Sequence, residues 1–429
     1  MRLLYTILLY LLTPLVLLRL LWRGFKAPGY WHRWAERFGF FPVVVTQPSI
    51  WVHCVSVGET LAAVPLINRL QQQYPGHVLV VTTTTPTGSA QVSMALGNKV
   101  LHAYMPYDLP GSVRRFLDRV RPQLVVILET ELWPNLFTAC NEQQIPLVIV
   151  NARLSPRSIR GYTRFATLAS QTLRQVSLIT AQTRQDADHF LALGAADEQV
   201  MVSGNIKFDM NVPPSLEEQA QALRRGWNGG SDGQRPVWVA ASTHEGEDEQ
   251  VLEALRQIHQ SLPQLLLVLV PRHPERFDRV AALCRGQGLA TVRRSEGTSC
   301  KIETAVFVGD TMGELRLFYA AADIAFVGGS LVATGGHNVL EPAMLGRPVI
   351  FGPYMFNFTE AAALLLAAKA AVQITDATQL AQTVLHYALD SASRLQAGEK
   401  AQQVVDANRG ALDVTLAQIA RLLPVNSGA

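Results

Sequence analysis

Only four of the 429 residues are cysteine, and Cys54, Cys140, Cys284 and Cys300 share no short spacing. That excludes a disulfide framework and offers no zinc pattern. Cys54 and Cys140 lie in apolar runs and read as small buried hydrophobes of a protein from a reducing compartment. Charge is sparse too, at 17% of residues and a net +3, so the balance carries no nucleic-acid signal. The chain has no GxxxxGK[ST] and no GxGxxG, which argues against a P-loop ATPase or a dinucleotide enzyme. It also lacks H-E-x-x-H and any carboxylate cluster of metal spacing, so neither a metal nor a bound cofactor is expected. Low-complexity tracts and short repeats are missing as well. With 48% hydrophobic residues the chain is too apolar for disorder, and its length fits two domains.

What is present begins with a membrane signal. "LLYTILLYLLTPLVLL", between Arg2 and Arg19, runs sixteen residues without a charge. As a helix it covers about 24 Å, a little short of the ~30 Å hydrocarbon core, and Pro14 is expected to kink it. Spanning the bilayer and entering it obliquely both stay open. Behind it come Arg19, Arg23, Lys26, Arg33 and Arg37, interleaved with Trp22, Tyr30, Trp31 and Trp34. Basic residues keep that flank cytoplasmic, and Trp and Tyr favour the headgroup level. A cleaved signal peptide is the rival, but only one basic residue precedes the run and no A-x-A site follows it. Residues 1–22 therefore read as a retained anchor.

From about residue 49, short apolar runs alternate with helical patterns. "IWVHCVSV", "HVLVVTT", "KVLHAY", "QLVVILE", "PLVIVNA" and "VSLITAQ" are strand-like. Stretches such as "TLAAVPLINRLQQQY" and "LPGSVRRFLDRV" between them are helical. Strands without clean polar alternation, separated by helices, indicate a parallel sheet covered on both faces. The pattern pauses over 204–236, rich in Pro, Gly and Asn, and restarts with "PVWVAAS", "QLLLVLVP", "TAVFVGD", "DIAFVGG" and "RPVIFGP". The expected fold is α/β: two doubly wound, Rossmann-like domains, 23–210 and 211–429, facing a cleft at the C-terminal ends of their strands. The last segment, "ALDVTLAQIARLL", is an amphipathic helix with no chemical signal.

Carboxylates and cations at strand ends are the candidate chemistry. In "HCVSVGETLAAVPL" a strand runs into a helix at Gly58, and Glu59 sits at the junction, where helix N–H groups stabilise a carboxylate by about 0.3–1 kcal/mol. Such a base is always ionised, with modest proton affinity. In "ILETELWPN", Glu129 and Glu131 point the same way if the strand continues, and like charges so close raise one pKa. Two strand ends of one half-sheet thus deliver carboxylates to one edge, as acid–base work needs. Lys207 of "SGNIKFD" is placed to meet an anion. "VPRHPERF" sets Arg272 beside a helix start, a phosphate-binding arrangement. "GDTMGELRLFYAAAD" places Glu314 in a first helical turn. In "FVGGSLVATGGHNVLEPAMLGRPVIFGP" two glycine pairs let backbone N–H groups approach a phosphate, and Glu341 is placed to accept from a ribose diol. Together these point to sugar transfer from an activated nucleotide, bound in the second half, to a lipid acceptor at the first.

"SVGE", "ETELWP", "SGNIKFD", "STHEGEDE", "PRHPERF", "MGEL" and "GGHNVLEP" occur in that order behind a basic anchor. Over essentially the whole chain this resembles the 3-deoxy-D-manno-octulosonic acid (Kdo) transferases of Gram-negative bacteria. The resemblance implies a GT-B glycosyltransferase fold, the donor CMP-Kdo, and a tetraacylated lipid A precursor as acceptor on the cytoplasmic face of the inner membrane. The first domain would take the acceptor and the second CMP-Kdo. It further implies an inverting reaction, with Glu59 as the base that deprotonates the acceptor hydroxyl and Glu129 and Lys207 as transition-state stabilisers. Pro271 and Arg272, then Met312, Gly313 and Glu314, then Asn338, Val339, Leu340 and Glu341 would bind CMP. No metal is required, because CMP-Kdo carries a single phosphate. Two alternatives remain: a GT-B transferase or epimerase using a UDP-sugar, and a non-catalytic membrane-bound nucleotide sensor, which would not need Glu59.

Overall fold

The computed structural model describes residues 1–210, 212–228 and 235–423. Residues 229–234, part of the stretch read as the inter-domain pause, lie outside them. The chain forms two compact units, Met1–Asp209 with Arg409–Ala429, and Met210–Asn408.

The first unit is built on seven strands. They are β1 (Ser49–His53), β2 (Val78–Thr83), β3 (Leu101–Tyr104), β4 (Pro122–Leu128), β5 (Leu147–Ala152), β6 (Leu178–Ala181) and β7 (Val200–Val202), in the order β3-β2-β1-β4-β5-β6-β7. All pairings are parallel, with His53 of β1 level with Thr82 on one side and Ile127 on the other. Both faces are covered: Val52, Val81, Val126 and Val150 pack on one side, Trp51, Val80, Val125 and Ile149 on the other. This is why the central strands show no polar alternation. The order reverses between β1 and β4, the switch point at which such sheets open a ligand crevice. The turns carrying Glu59 and Glu129 follow these two strands.

The second unit repeats the plan with β8 (Val237–Thr243), β9 (Leu266–Pro271), β10 (Thr291–Arg293), β11 (Val306–Val308), β12 (Ile324–Val327), β13 (Val349–Phe351) and β14 (Ala371–Gln373), ordered β10-β11-β9-β8-β12-β13-β14. Its switch point lies between β8 and β12, so "STHEGEDE" and the glycine-rich run both leave the sheet there.

The structure adds local detail at three places. The first strand ends at His53, and Val57 and Gly58 already belong to the helix Val57–Gln73. The helix Arg2–Lys26 runs through Pro14 without interruption, and its Arg2–Phe25 stretch is long and apolar enough to cross a membrane. Two cations of the basic flank bind groups of the first unit. Arg37 is buried against Tyr104 and donates to the Thr84 carbonyl at 3.0 Å, while Arg33 pairs with Glu36 at 2.7 Å.

The C-terminal segment also falls elsewhere than expected. The expected second domain, 211–429, includes it, yet the helix Ala411–Leu422 belongs to the first unit. Leu412, Leu416 and Ile419 fill the core beside Leu66 and Leu70, and the Tyr74 hydroxyl donates to the Leu423 carbonyl at 2.7 Å. Asp209, the last residue of "SGNIKFD", caps this helix by accepting from the Gly410 and Leu412 amides at 2.6 and 2.7 Å.

Candidate active site

In the first unit, Ser56 is the N-cap of the helix that follows β1; its Oγ accepts from the Glu59 amide and donates to Glu59 Oε1 at 3.1 Å. Glu59 Oε2 accepts from the Val55 amide at 2.7 Å, which turns the carboxyl back over the strand end. A permanently ionised carboxylate was expected here. Burial instead, with repulsion from Glu129 second, raises the Glu59 pKa to about 7 against the lowering from Val55 and Ser56. Desolvation outweighs the helix terminus, whose stabilisation is under about 1 kcal/mol at exposed sites.

Glu129 follows β4 in a left-handed conformation, φ +58°, which costs a non-glycine residue about 1–2 kcal/mol. Its amide donates to the Val150 carbonyl at 2.9 Å, and the strand stops there. The continued strand that would have aligned Glu129 with Glu131 is therefore absent. Glu129 instead receives two cations, Lys207 Nζ at 2.8 Å on Oε1 and Arg153 Nε at 3.3 Å on Oε2. Lys207 reaches it from the short turn Ile206–Phe208, fixed by Asn205, whose Oδ1 accepts the Lys207 amide at 3.0 Å. Glu131 has no ion-pair partner among the described residues, and burial lifts its pKa to about 7. Glu59 thus couples most strongly to Glu129 and more weakly to Glu131.

In the second unit, Pro271 ends β9, and the Arg272 amide is tied to the Thr243 carbonyl at 3.0 Å. The Arg272 side chain forms no ion pair among the described residues, and its charge acts on His244, His337 and Glu341. His244 and His337 stack at 5.1 Å with their Nε2 atoms 2.8 Å apart, and His273 packs edge-on against His244. Burial and the neighbouring cations lower His244 to about 4 and His337 to about 3, so the pair is neutral at pH 7 and shares one proton.

The glycine-rich run differs from its expected role. The amides of Gly329, Ser330 and Leu331 donate to the Glu247 carboxylate at 2.6, 3.0 and 2.9 Å, and the His244 amide joins them at 2.9 Å. The first glycine pair therefore cradles a fully buried internal carboxylate rather than an open anion site. Glu314 is the N-cap of the helix Leu315–Ala321, and Arg294 engages it at 2.7 Å. Met312 is half exposed beside Gly313, whose φ of +86° makes the turn. Asn338 Oδ1 accepts the Leu340 amide at 3.1 Å, and Val339 and Leu340 bury their side chains, so what they offer a ligand is backbone. Glu341 faces Arg316 at 3.4 Å, and burial raises its pKa.

A family model for 3-deoxy-D-manno-octulosonic-acid transferase (kdotransferase) matches residues 32–210. A 3-deoxy-D-manno-octulosonic acid transferase of Haemophilus influenzae is 42% identical over 96% of both chains. The chain belongs to the Kdo transferase family. A second such transferase, from Bordetella pertussis, is 38% identical over 96% of this chain and 97% of its own. Among solved structures, a putative UDP-N-acetylglucosamine 2-epimerase from Listeria monocytogenes superposes with a TM-score of 0.55 over 89% of this chain and 97% of its own. At 15% identity that likeness concerns the fold alone, the GT-B architecture. The UDP-sugar alternative thus shares the transferase's architecture, and the close sequence relatives decide for Kdo transfer.

Within its first unit the transferase joins Glu59, Glu129 and Lys207 as one charged group. Within the second, Arg272 and Glu341 interact, while Glu314 is held by Arg294. Sequence reading missed Arg153, although "VNARLS" ends a strand as "ILETE" does. It also missed the work of His244, His337 and Glu247, which stand in motifs quoted above without a role.

Proposed function

We propose that this transferase moves Kdo from CMP-Kdo to the glucosamine hydroxyl of a tetraacylated lipid A precursor, with inversion at the anomeric carbon. The acceptor hydroxyl meets Glu59 of the first unit, and the nucleotide belongs to the second. The acceptor oxygen forms the new bond as the bond from the anomeric carbon to the phosphate oxygen breaks. The proton passes to Glu59 and CMP leaves with the bonding pair. Glu129, held by Lys207 and Arg153, stabilises the charge that develops at the sugar, and Arg272, without an ion pair among the described residues, receives the phosphate. Pro271, Met312, Gly313, Asn338, Val339, Leu340 and Glu341 line the nucleotide, and Glu314 holds its turn through Arg294.

One observation carries this reading. Glu59 is a carboxyl with a pKa of about 7, fixed by Val55 and Ser56 beside a second carboxylate that has its own cations. A base tuned close to the working pH is the most effective kind. The apolar N-terminal helix, with Arg19 and Arg23 exposed on its C-terminal half, supports residence at the inner membrane with both units on the cytoplasmic face. The test is Glu59→Ala assayed with CMP-Kdo and purified precursor, read by mass spectrometry of the lipid. Transfer should fall at least about 100-fold, with CMP affinity unchanged. Retained transfer removes Glu59 as the base.

A further inference from the structure

The N-terminal helix is attached to the first unit at both ends. At its start the Tyr5 hydroxyl donates to Asp108 Oδ2 at 3.0 Å, Thr6 Oγ1 donates to Asn135 Oδ1 at 3.0 Å, and Arg2 pairs with Glu142 at 3.7 Å. Asp108 is buried and also accepts the Asn135 and Leu136 amides at 2.9 and 2.8 Å, so Tyr5 joins a network inside the folded unit. At the other end Trp31 lies on Gly24 and donates to the Leu21 carbonyl at 3.1 Å. A few residues later Arg33 donates to the His102 carbonyl at 2.8 Å, and Glu36 accepts the Tyr104 amide at 2.9 Å.

Between these ends one stripe of the helix is shielded. Tyr5, Leu9, Thr13, Leu17, Leu20 and Gly24 recur every three or four residues, with Thr6 and Val16 beside them; Leu20 and Gly24 are buried and the others half-buried, the polar Tyr5, Thr6 and Thr13 among them. The opposite face, with Leu4, Leu11, Leu15, Leu18, Trp22 and Phe25, is 45–77% exposed for every large apolar residue from Leu3 to Phe25 that stands on it. Beside the first turn lies a cavity of about 700 Å³ lined by Arg2, Leu3 and Thr6 of the helix and by Arg114, Asp118 and Glu142. That charged surface surrounds the start of the helix.

A 25-residue helix is about 37 Å long. Crossing the ~30 Å hydrocarbon core would put the two ends of the helix on opposite surfaces. Tyr5 could not then reach Asp108, nor could Arg2 share a cavity with Arg114 and Asp118, without carrying those charges into lipid. An interfacial helix needs one apolar face and one face satisfied by something other than acyl chains. Here Asp108, Asn135 and Glu142 of the folded unit hold the first turn, and Trp31 lies on the last.

We infer that the N-terminal helix lies in the plane of one leaflet, docked by its first turn on the first unit, with its free face among acyl chains and both ends on the side that carries the two units. Exposed Arg19 and Arg23 beside Trp22 complement anionic headgroups along the same edge. This rests on the proposed membrane residence and adds an orientation to it.

All four native cysteines are buried, so introduced thiols dominate labelling of the full-length protein. Arg2→Cys is treated with a membrane-impermeant maleimide in intact spheroplasts and after lysis. The expected result is labelling only after lysis, at least tenfold over the intact sample; labelling in intact spheroplasts overturns the in-plane placement. In parallel, Thr6→Cys with Asn135→Cys should be bridged in membranes by a short bifunctional maleimide, since Thr6 Oγ1 lies 3.0 Å from Asn135 Oδ1. Absence of that cross-link with Arg2→Cys reading inside removes the docked geometry. Recovery of the unmodified protein in the high-speed supernatant would instead refute membrane residence itself, a result distinct from either.

Discussion

Glu59 is pulled in two directions. The Val55 amide and the Ser56 hydroxyl favour its charge, while burial and Glu129 oppose it and win. Because the folded pKa lies above the unfolded one, the folded state binds the proton more tightly. Stability therefore falls as pH rises from about 4.5 to about 7 and stays reduced above that. Glu59→Gln should raise stability at pH 8 by about 1 kcal/mol, allowing for solvent screening, and the gain should vanish below pH 4.5; urea unfolding at the two pH values measures it. In catalysis the same shift predicts that kcat/KM rises through an apparent pKa near 7. Glu129→Gln removes a like charge from a surrounding that also holds Glu131, Lys207 and Arg153, so this limb should move to lower pH even as the rate drops. A limb that stays in place would mean that Glu59 is not the titrating group. The sequence places Glu59 at a helix start; it contains no measure of the desolvation that reverses the local electrostatics.

At the scale of elements, the strand-end turns were legible and their partners were not. The run "FVGGS" reads as an anion cradle, and it is one, but Glu247 fills it from more than eighty residues upstream. Glu247→Ala would leave four amides without acceptors, each costing about 1–3 kcal/mol if dry. The second unit should lose more than about 3 kcal/mol of stability, together with CMP binding. Calorimetry and a CMP titration report the two losses. The central strands could be read because they are continuous apolar runs buried on both faces. β7, β10 and β14 could not, since each is a three-residue edge strand, only partly covered and too short to show a period. Glu129 belongs to the same lesson. Its left-handed backbone ends β4 early and separates it from Glu131, and no residue type in "ILETE" announces that turn.

For the whole molecule, the chain closes on itself, because its last helix completes the core of its first unit. Leu416→Ala should destabilise that unit by about 2–5 kcal/mol, the range for a buried leucine, while CMP binding persists. Denaturant unfolding followed alongside nucleotide binding would show the first change without the second; loss of both would contradict the division into units. The linear sequence by itself determined the α/β class, the two doubly wound repeats, the apolar N-terminus and the family. These depend on local period, strand length and ordered motifs, all of which lie in the primary chain. Tertiary structure alone decided the charge state of Glu59, the pairing of Glu129 with Lys207 and Arg153, the occupant of the glycine nest and the place of both terminal helices. Each of those depends on burial and on partners far away in sequence, and electrostatics and packing act through space rather than along the chain.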